Sequence, residues 1–134
     1  MRLVLDASVA IAAARTHEPS SAAARARVGR ALRRHDELVV PAIFGVEVAG
    51  ALSRHGEPED TIRDYVARLT SAPNEVIPLG AARARRAIDV AIAGALRGAD
   101  AVYVWLASAR GLPLCTLDEE MAERAARFCK VVSP

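Results

Sequence analysis

Five short apolar runs set between longer stretches of helical periodicity leave this chain few folds to choose from. The runs are Arg2–Asp6, Leu38–Val40, Glu75–Pro78, Leu114–Thr116 and Lys130–Val132. They are β-branched or Leu-rich and mostly bounded by turn or charged residues, so each predicts a strand. The spacing between them predicts helices over about Val9–Arg15, Ser21–Arg34, Ala42–Arg54, Pro58–Ser71, Ala81–Arg97, Ala99–Arg110 and Glu119–Phe128. Strands alternating with helices favour a parallel sheet covered on both faces, and right-handed crossovers place successive helices on it. The expected class is α/β, a three-layer α/β/α sandwich around a five-stranded parallel sheet. Pro41 and Pro58 suit helix starts, and Gly111-Leu112-Pro113 stops a helix and turns into the next strand. In the stretch near Ala81, the residues Ala84, Ile88, Ala91, Ile92 and Ala95 share one face, and Asp89 is expected to meet Arg85 or Arg86 one turn away.

A chain of 134 residues is expected to form a single domain over 1–134. Aromatics make up only 4%, so the core must be built from Ala, Val, Leu and Ile. The longest apolar stretch, Leu38 to Leu52, is broken by Pro41 and Glu47 and falls short of the ~18 residues a membrane span needs. The first residues read as a strand ended by an acid rather than as a signal peptide, so the expectation is a cytoplasmic protein with no membrane partner. Cys115 and Cys129 are isolated and read as reduced, packed thiols, while His17, His35 and His55 lack the spacing of a metal site. A net charge of +2 permits a nucleic-acid partner without arguing for one. Arg27, Arg30 and Arg34 share a helix face, read as solvated, with contact to an RNA backbone as the alternative.

Four carboxylates stand where such a domain has poor structural reason to put them. Asp6 closes the first strand, at the sheet edge where open α/β sheets bind ligands, although it could also cap the helix that follows. Glu47 lies between Ile43 and Ala51 on an apolar helix stripe, where an acid is rarely buried without a partner. Asp100 opens the helix carrying Val102, Trp105 and Leu106, a place the helix dipole also favours. Asp118 follows the fourth strand. Thr116 and Glu119 around it also read as a capping box, and Glu119, Glu120 and Glu123 as a solvated acidic face. Two unit charges 4 Å apart repel by about 4 kcal/mol at an effective dielectric of 20. If the four acids converge, they must take up protons or a divalent cation, and an all-oxygen site suits Mg²⁺ or Mn²⁺.

The segments Leu5-Asp6-Ala7-Ser8-Val9, Val46-Glu47-Val48, Ala99-Asp100-Ala101 and Cys115-Thr116-Leu117-Asp118 resemble the four signature stretches of PIN-domain ribonucleases. In order and spacing they most resemble the VapC-like toxins of prokaryotic toxin–antitoxin pairs. The resemblance runs from Arg2 to Val132. It implies Asp6, Glu47, Asp100 and Asp118 as a catalytic, metal-binding quartet, with Ser8 and Thr116 in supporting roles. It also implies a metal-dependent endoribonuclease that acts on RNA, binds a small antitoxin protein and forms a homodimer. A stand-alone RNA-processing nuclease and an inactive binding module of the same fold are the alternatives, and four retained acids argue against the latter. An aspartyl-phosphate phosphatase fits less well, because the second acid expected two residues after the first strand-end Asp is Ser8 here. A response-regulator receiver would need an acidic pair after the first strand and a late basic residue, and neither is evident.

Overall fold

Every expected strand and helix is present in the computed structural model, which describes residues 1–134. The strands are β1 (Arg2–Leu5), β2 (Glu37–Pro41), β3 (Glu75–Ile77), β4 (Leu114–Cys115) and β5 (Val131–Val132). They form one sheet in the order β3-β2-β1-β4-β5, with every pairing parallel. Leu3 stands opposite Leu38, and Leu5 opposite Cys115. Strand order reverses between β1 and β4. That switch point opens a crevice beyond the carboxyl ends of the two strands.

The helices are α1 (Ala7–Ala14), α2 (Ser21–Leu32), α3 (Ile43–Arg54), α4 (Glu59–Thr70), α5 (Ala81–Gly94), α6 (Gly98–Arg110) and α7 (Glu119–Ala125). Helices α1 to α4 pack against one another, whereas α5 packs on α6, which lies against β1, β2 and β4. Right-handed crossovers account for the division: the chain moves outward from β1 through β2 to β3, then returns across the sheet to β4. With both faces covered, Leu3, Val4, Leu5, Leu38, Val39 and Val40 are fully buried, the continuous apolar runs that a two-sided parallel sheet requires. No single helix is long and apolar enough to cross a membrane. Cys115 and Cys129 are both free thiols.

Four expectations need correction. The helix drawn to Arg97 ends at Gly94, and Ala95 turns left-handed with φ 49°. The Leu96 N–H then bonds the Ala91 carbonyl at 3.1 Å, a Schellman-type stop that buries Leu96. Gly94 does not take the left-handed position because it is needed for contact: a Cβ there would stand 2.9 Å from the Phe128 ring. Secondly, the apolar face of α5 is not a core stripe, since Ile88 is 53% and Ile92 77% exposed and Ala87 is the helix's one buried residue. Thirdly, Asp89 forms no ion pair with Arg85 or Arg86.

Lastly, Arg27 and Arg30 are not a merely solvated face. They converge with the Met1 amino group on Asp36, whose side chain is wholly buried. Arg30 donates to both Asp36 oxygens, at 2.8 and 3.0 Å. This bidentate grip and the Met1 amino group hold the Asp36 carboxyl well below the usual range, against the effect of its burial. Arg34, with φ 61°, stays exposed at the turn after α2.

Candidate active site

The carboxyl ends of β1 and β4 put Asp6 and Thr116 side by side. The Asp6 N–H donates to the Cys115 carbonyl at 3.0 Å, carrying the β1–β4 ladder one residue past the strand. Asp6 occupies the cap position of α1, but its carboxylate makes no capping bond. Instead its Oδ2 accepts from Ser8 Oγ at 2.5 Å and from Thr116 Oγ1 at 2.8 Å. Each hydroxyl is itself oriented. Ser8 Oγ accepts the Leu117 N–H at 3.2 Å, and Thr116 Oγ1 the Asp118 N–H at 3.1 Å. A hydroxyl has one proton, and with a backbone N–H on its oxygen that proton is directed to Asp6. Oδ1 of Asp6 has no protein partner.

The expected capping box takes a different form. Asp118 caps α7, its Oδ1 accepting the Met121 N–H at 3.0 Å. Thr116 is already committed to Asp6, and Glu119 is exposed. The α7 entrance thus uses one oxygen of Asp118 for the cap and leaves the other free. Asp100 sits in the first turn of α6 and is half-buried. Glu47, half-buried on α3, accepts from the Tyr103 hydroxyl at 2.8 Å. Tyr103 is a site residue that periodicity hid, because a tyrosine one turn after Asp100 reads as core. The available signal was Glu47 itself, an acid in an apolar stripe that needed a donor.

Asp6 and Asp100 feel each other's charge, and each also interacts with Glu47 and Asp118, so the four acids form one linked set. Burial pushes the Asp6 carboxyl up, the Asp118 charge adds to this, and the Ser8 and Thr116 hydroxyls oppose it. Glu47 is raised by burial and by the charges of Asp6 and Asp100, against the Tyr103 hydrogen bond. Asp100 is raised by burial, then by Asp6 and Asp118, while Arg97 pulls the other way and Glu120 adds its charge. None of the four acids takes part in an ion pair. Nor do any three acidic, histidine or cysteine side chains stand in cation-holding geometry. The charges share a neighbourhood but do not close on one point. The donor set is all carboxylate and hydroxyl oxygen, and the neighbouring Arg97 pairs with Glu120 rather than with any of the four acids. Such a set suits a hard divalent cation. A groove of about 630 Å³ between α3 and α4 holds none of the four acids. The acidic site is an open edge rather than a deep cavity.

The sequence profile of the PIN domain matches residues 3–127. No curated protein sequence matches significantly. Among solved structures, the chain is similar to VapC20 of Mycobacterium tuberculosis, described as a sarcin-ricin loop cleaving toxin. Identity is 15% and the TM-score 0.78, over 98% of this chain and 99% of that one. It is also similar to a chain of VapBC2 from Rickettsia felis, solved bound to a DNA fragment from the promoter. There the identity is 12% and the TM-score 0.70, over 100% and 99% of the two chains. A third likeness is to FitAcB of Neisseria gonorrhoeae, at 18% identity and a TM-score of 0.61, over 98% and 96%. At these identities the structural likeness speaks to the fold.

Proposed function

The chain belongs to the PIN-domain family, and from that premise we propose that it is a divalent-metal-dependent endoribonuclease acting as the toxin of a toxin–antitoxin pair. The observation that carries the reading is the placing of Asp6, Glu47, Asp100 and Asp118 about the switch-point edge with no ion pair to any of them. Asp6, Asp100 and Asp118 would hold Mg²⁺ or Mn²⁺ directly or through water, and Glu47 would hold the ion or orient the attacking water. A bound ion supplies a water of lowered pKa and stabilises the charge that develops on the phosphate.

The remaining parts belong to the chain. Ser8 and Thr116 fix the Asp6 carboxylate from one side. Asp118 is held by its own helix entrance. Arg97, exposed beside Asp100, offers an incoming phosphate a cation at the rim of an otherwise negative site. With few aromatics to stack on bases, affinity rests on phosphate contacts, so RNA binding should weaken with salt. Recognition then falls to RNA shape and single-stranded loops. The substrate reading is a few cleavages in a structured cellular RNA, supported by the description of VapC20 as a sarcin-ricin loop cleaving toxin. A small antitoxin, a homodimer and a cytoplasmic setting complete the proposal.

Sequencing of RNA 5′ ends after brief expression of the wild type and of Asp6→Asn tests it. Discrete ends present only with the wild type are expected, and so is in vitro cleavage that EDTA abolishes and Mg²⁺ or Mn²⁺ restores. Identical end profiles for the two proteins, or no divalent binding by the folded chain at millimolar Mn²⁺, would overturn it. Absence of an adjacent short reading frame for a DNA-binding protein would favour a stand-alone RNA-processing nuclease.

A further inference from the structure

Tyr103 is the one aromatic residue whose polar atom is tied to the acidic site. Its side chain is fully buried on α6. Its hydroxyl crosses from the α6 layer to α3 and donates to Glu47 Oε1 at 2.8 Å, the only side-chain hydrogen bond between these two helices. A buried tyrosine hydroxyl requires an acceptor, yet phenylalanine would serve packing without creating that requirement. Glu47 in turn has no other side-chain hydrogen-bonding partner.

We propose that Tyr103 is a positioning residue for the metal-dependent reaction: its hydroxyl immobilises Oε1 of Glu47, selecting one carboxylate rotamer and leaving Oε2 as the oxygen offered to the ion or its water. A glutamate with three side-chain torsions on a half-buried helix face otherwise samples several rotamers, and a donor locked in the core removes that freedom before any ligand arrives. The arrangement parallels that of Asp6, where hydroxyls from Ser8 and Thr116 occupy one oxygen and leave the other. In both cases protein donors take one carboxylate oxygen and spare its twin. This inference rests on the proposed function, and the test is chosen so that the two fail differently.

Tyr103→Phe keeps the ring and removes only the hydroxyl. Mn²⁺ affinity, read by calorimetry and by the Mn²⁺ EPR signal, should weaken about tenfold. Cleavage kcat should fall in parallel while KM for RNA stays put, and the melting temperature in EDTA should move by only a few degrees. In a Glu47→Gln background the same substitution should change neither metal affinity nor kcat, because the group it acts through is already altered. A Tyr103→Phe protein with wild-type Mn²⁺ affinity and kcat would overturn the inference, as would an equal loss in the Glu47→Gln background. Wild-type protein that binds no Mn²⁺ would overturn the proposed function itself, and this inference with it.

Discussion

At the scale of single residues, the chain separates two kinds of buried carboxylate. Asp36 is wrapped by Arg30, Arg27 and the Met1 amino group, whereas Asp6 receives hydroxyls and faces other acids. Opposite responses to neutralisation follow. Asp36→Ala removes the acceptor from the cations around it and should destabilise the fold, read by urea unfolding. Asp6→Asn and Asp100→Asn should lower cleavage about a hundredfold or more, yet leave melting in EDTA unchanged or slightly higher because each removes like-charge repulsion. Strong destabilisation of both in EDTA would mean that these acids serve the fold. Asp6, Glu47, Asp100 and Asp118 were legible as misplaced charges, since an acid on an apolar stripe or strand end is conspicuous against its neighbours. Tyr103 was not, because an aromatic at helical spacing is what a core calls for. Arg27 and Arg30 were misread because their partner Asp36 lies past the end of α2, where the left-handed turn at Arg34 brings it back.

At the scale of elements, existence was legible and ends were not. Periodicity located every strand and helix, but the stop of α5 depends on the contact of Gly94 with Phe128, a residue far along the chain. The left-handed turn therefore falls on Ala95, where a Cβ is unfavourable by about 1–2 kcal/mol. Ala95→Gly should relieve part of this and stabilise the protein by about 1 kcal/mol, whereas Gly94→Ala should destabilise it by forcing Phe128 or Leu96 to move. Thermal melts of the two variants should shift in opposite directions. The α7 entrance gives a second test, because Asp118 serves as cap and as candidate ligand at once. Asn caps as well as Asp. Asp118→Asn should keep stability and lose Mn²⁺ affinity, while Asp118→Ala should lose that affinity and about 1 kcal/mol of stability besides.

For the whole molecule, the two kinds of carboxylate set a pH profile. Asp6, Glu47 and Asp100 titrate higher in the folded protein than in the unfolded chain. Their stabilising contribution is complete below the unfolded carboxyl range and is lost as pH rises through the raised values. Asp36 titrates lower when folded, so its contribution is complete above about pH 4 and is lost as pH falls below that. In EDTA these groups should make the protein melt higher in mild acid than at neutral pH or in strong acid. Saturating Mn²⁺ at neutral pH should restore the loss, by about 2.7 kcal/mol at a hundred times its dissociation constant. A melting temperature in EDTA that does not fall from mild acid to neutral pH would show that burial does not raise these carboxyls. The α/β class and the parallel sheet were legible at this scale because alternating elements admit few arrangements. Convergence of the acids was inferable only from the family likeness, since no local pattern encodes which strand ends become neighbours.

The acids come from every layer: Asp6 and Asp118 from the two central strand ends, Glu47 from one helical side and Asp100 from the other. The first and last are supplied by opposite ends of the chain. No supersecondary fragment carries the full set, so the four acids come together only when the final third has docked onto the first. Parallel pairing between such distant segments is slow to form. The molecule thus carries its own delay: its full set of acids is assembled last, by topology alone, once the most distant parts of the chain have met.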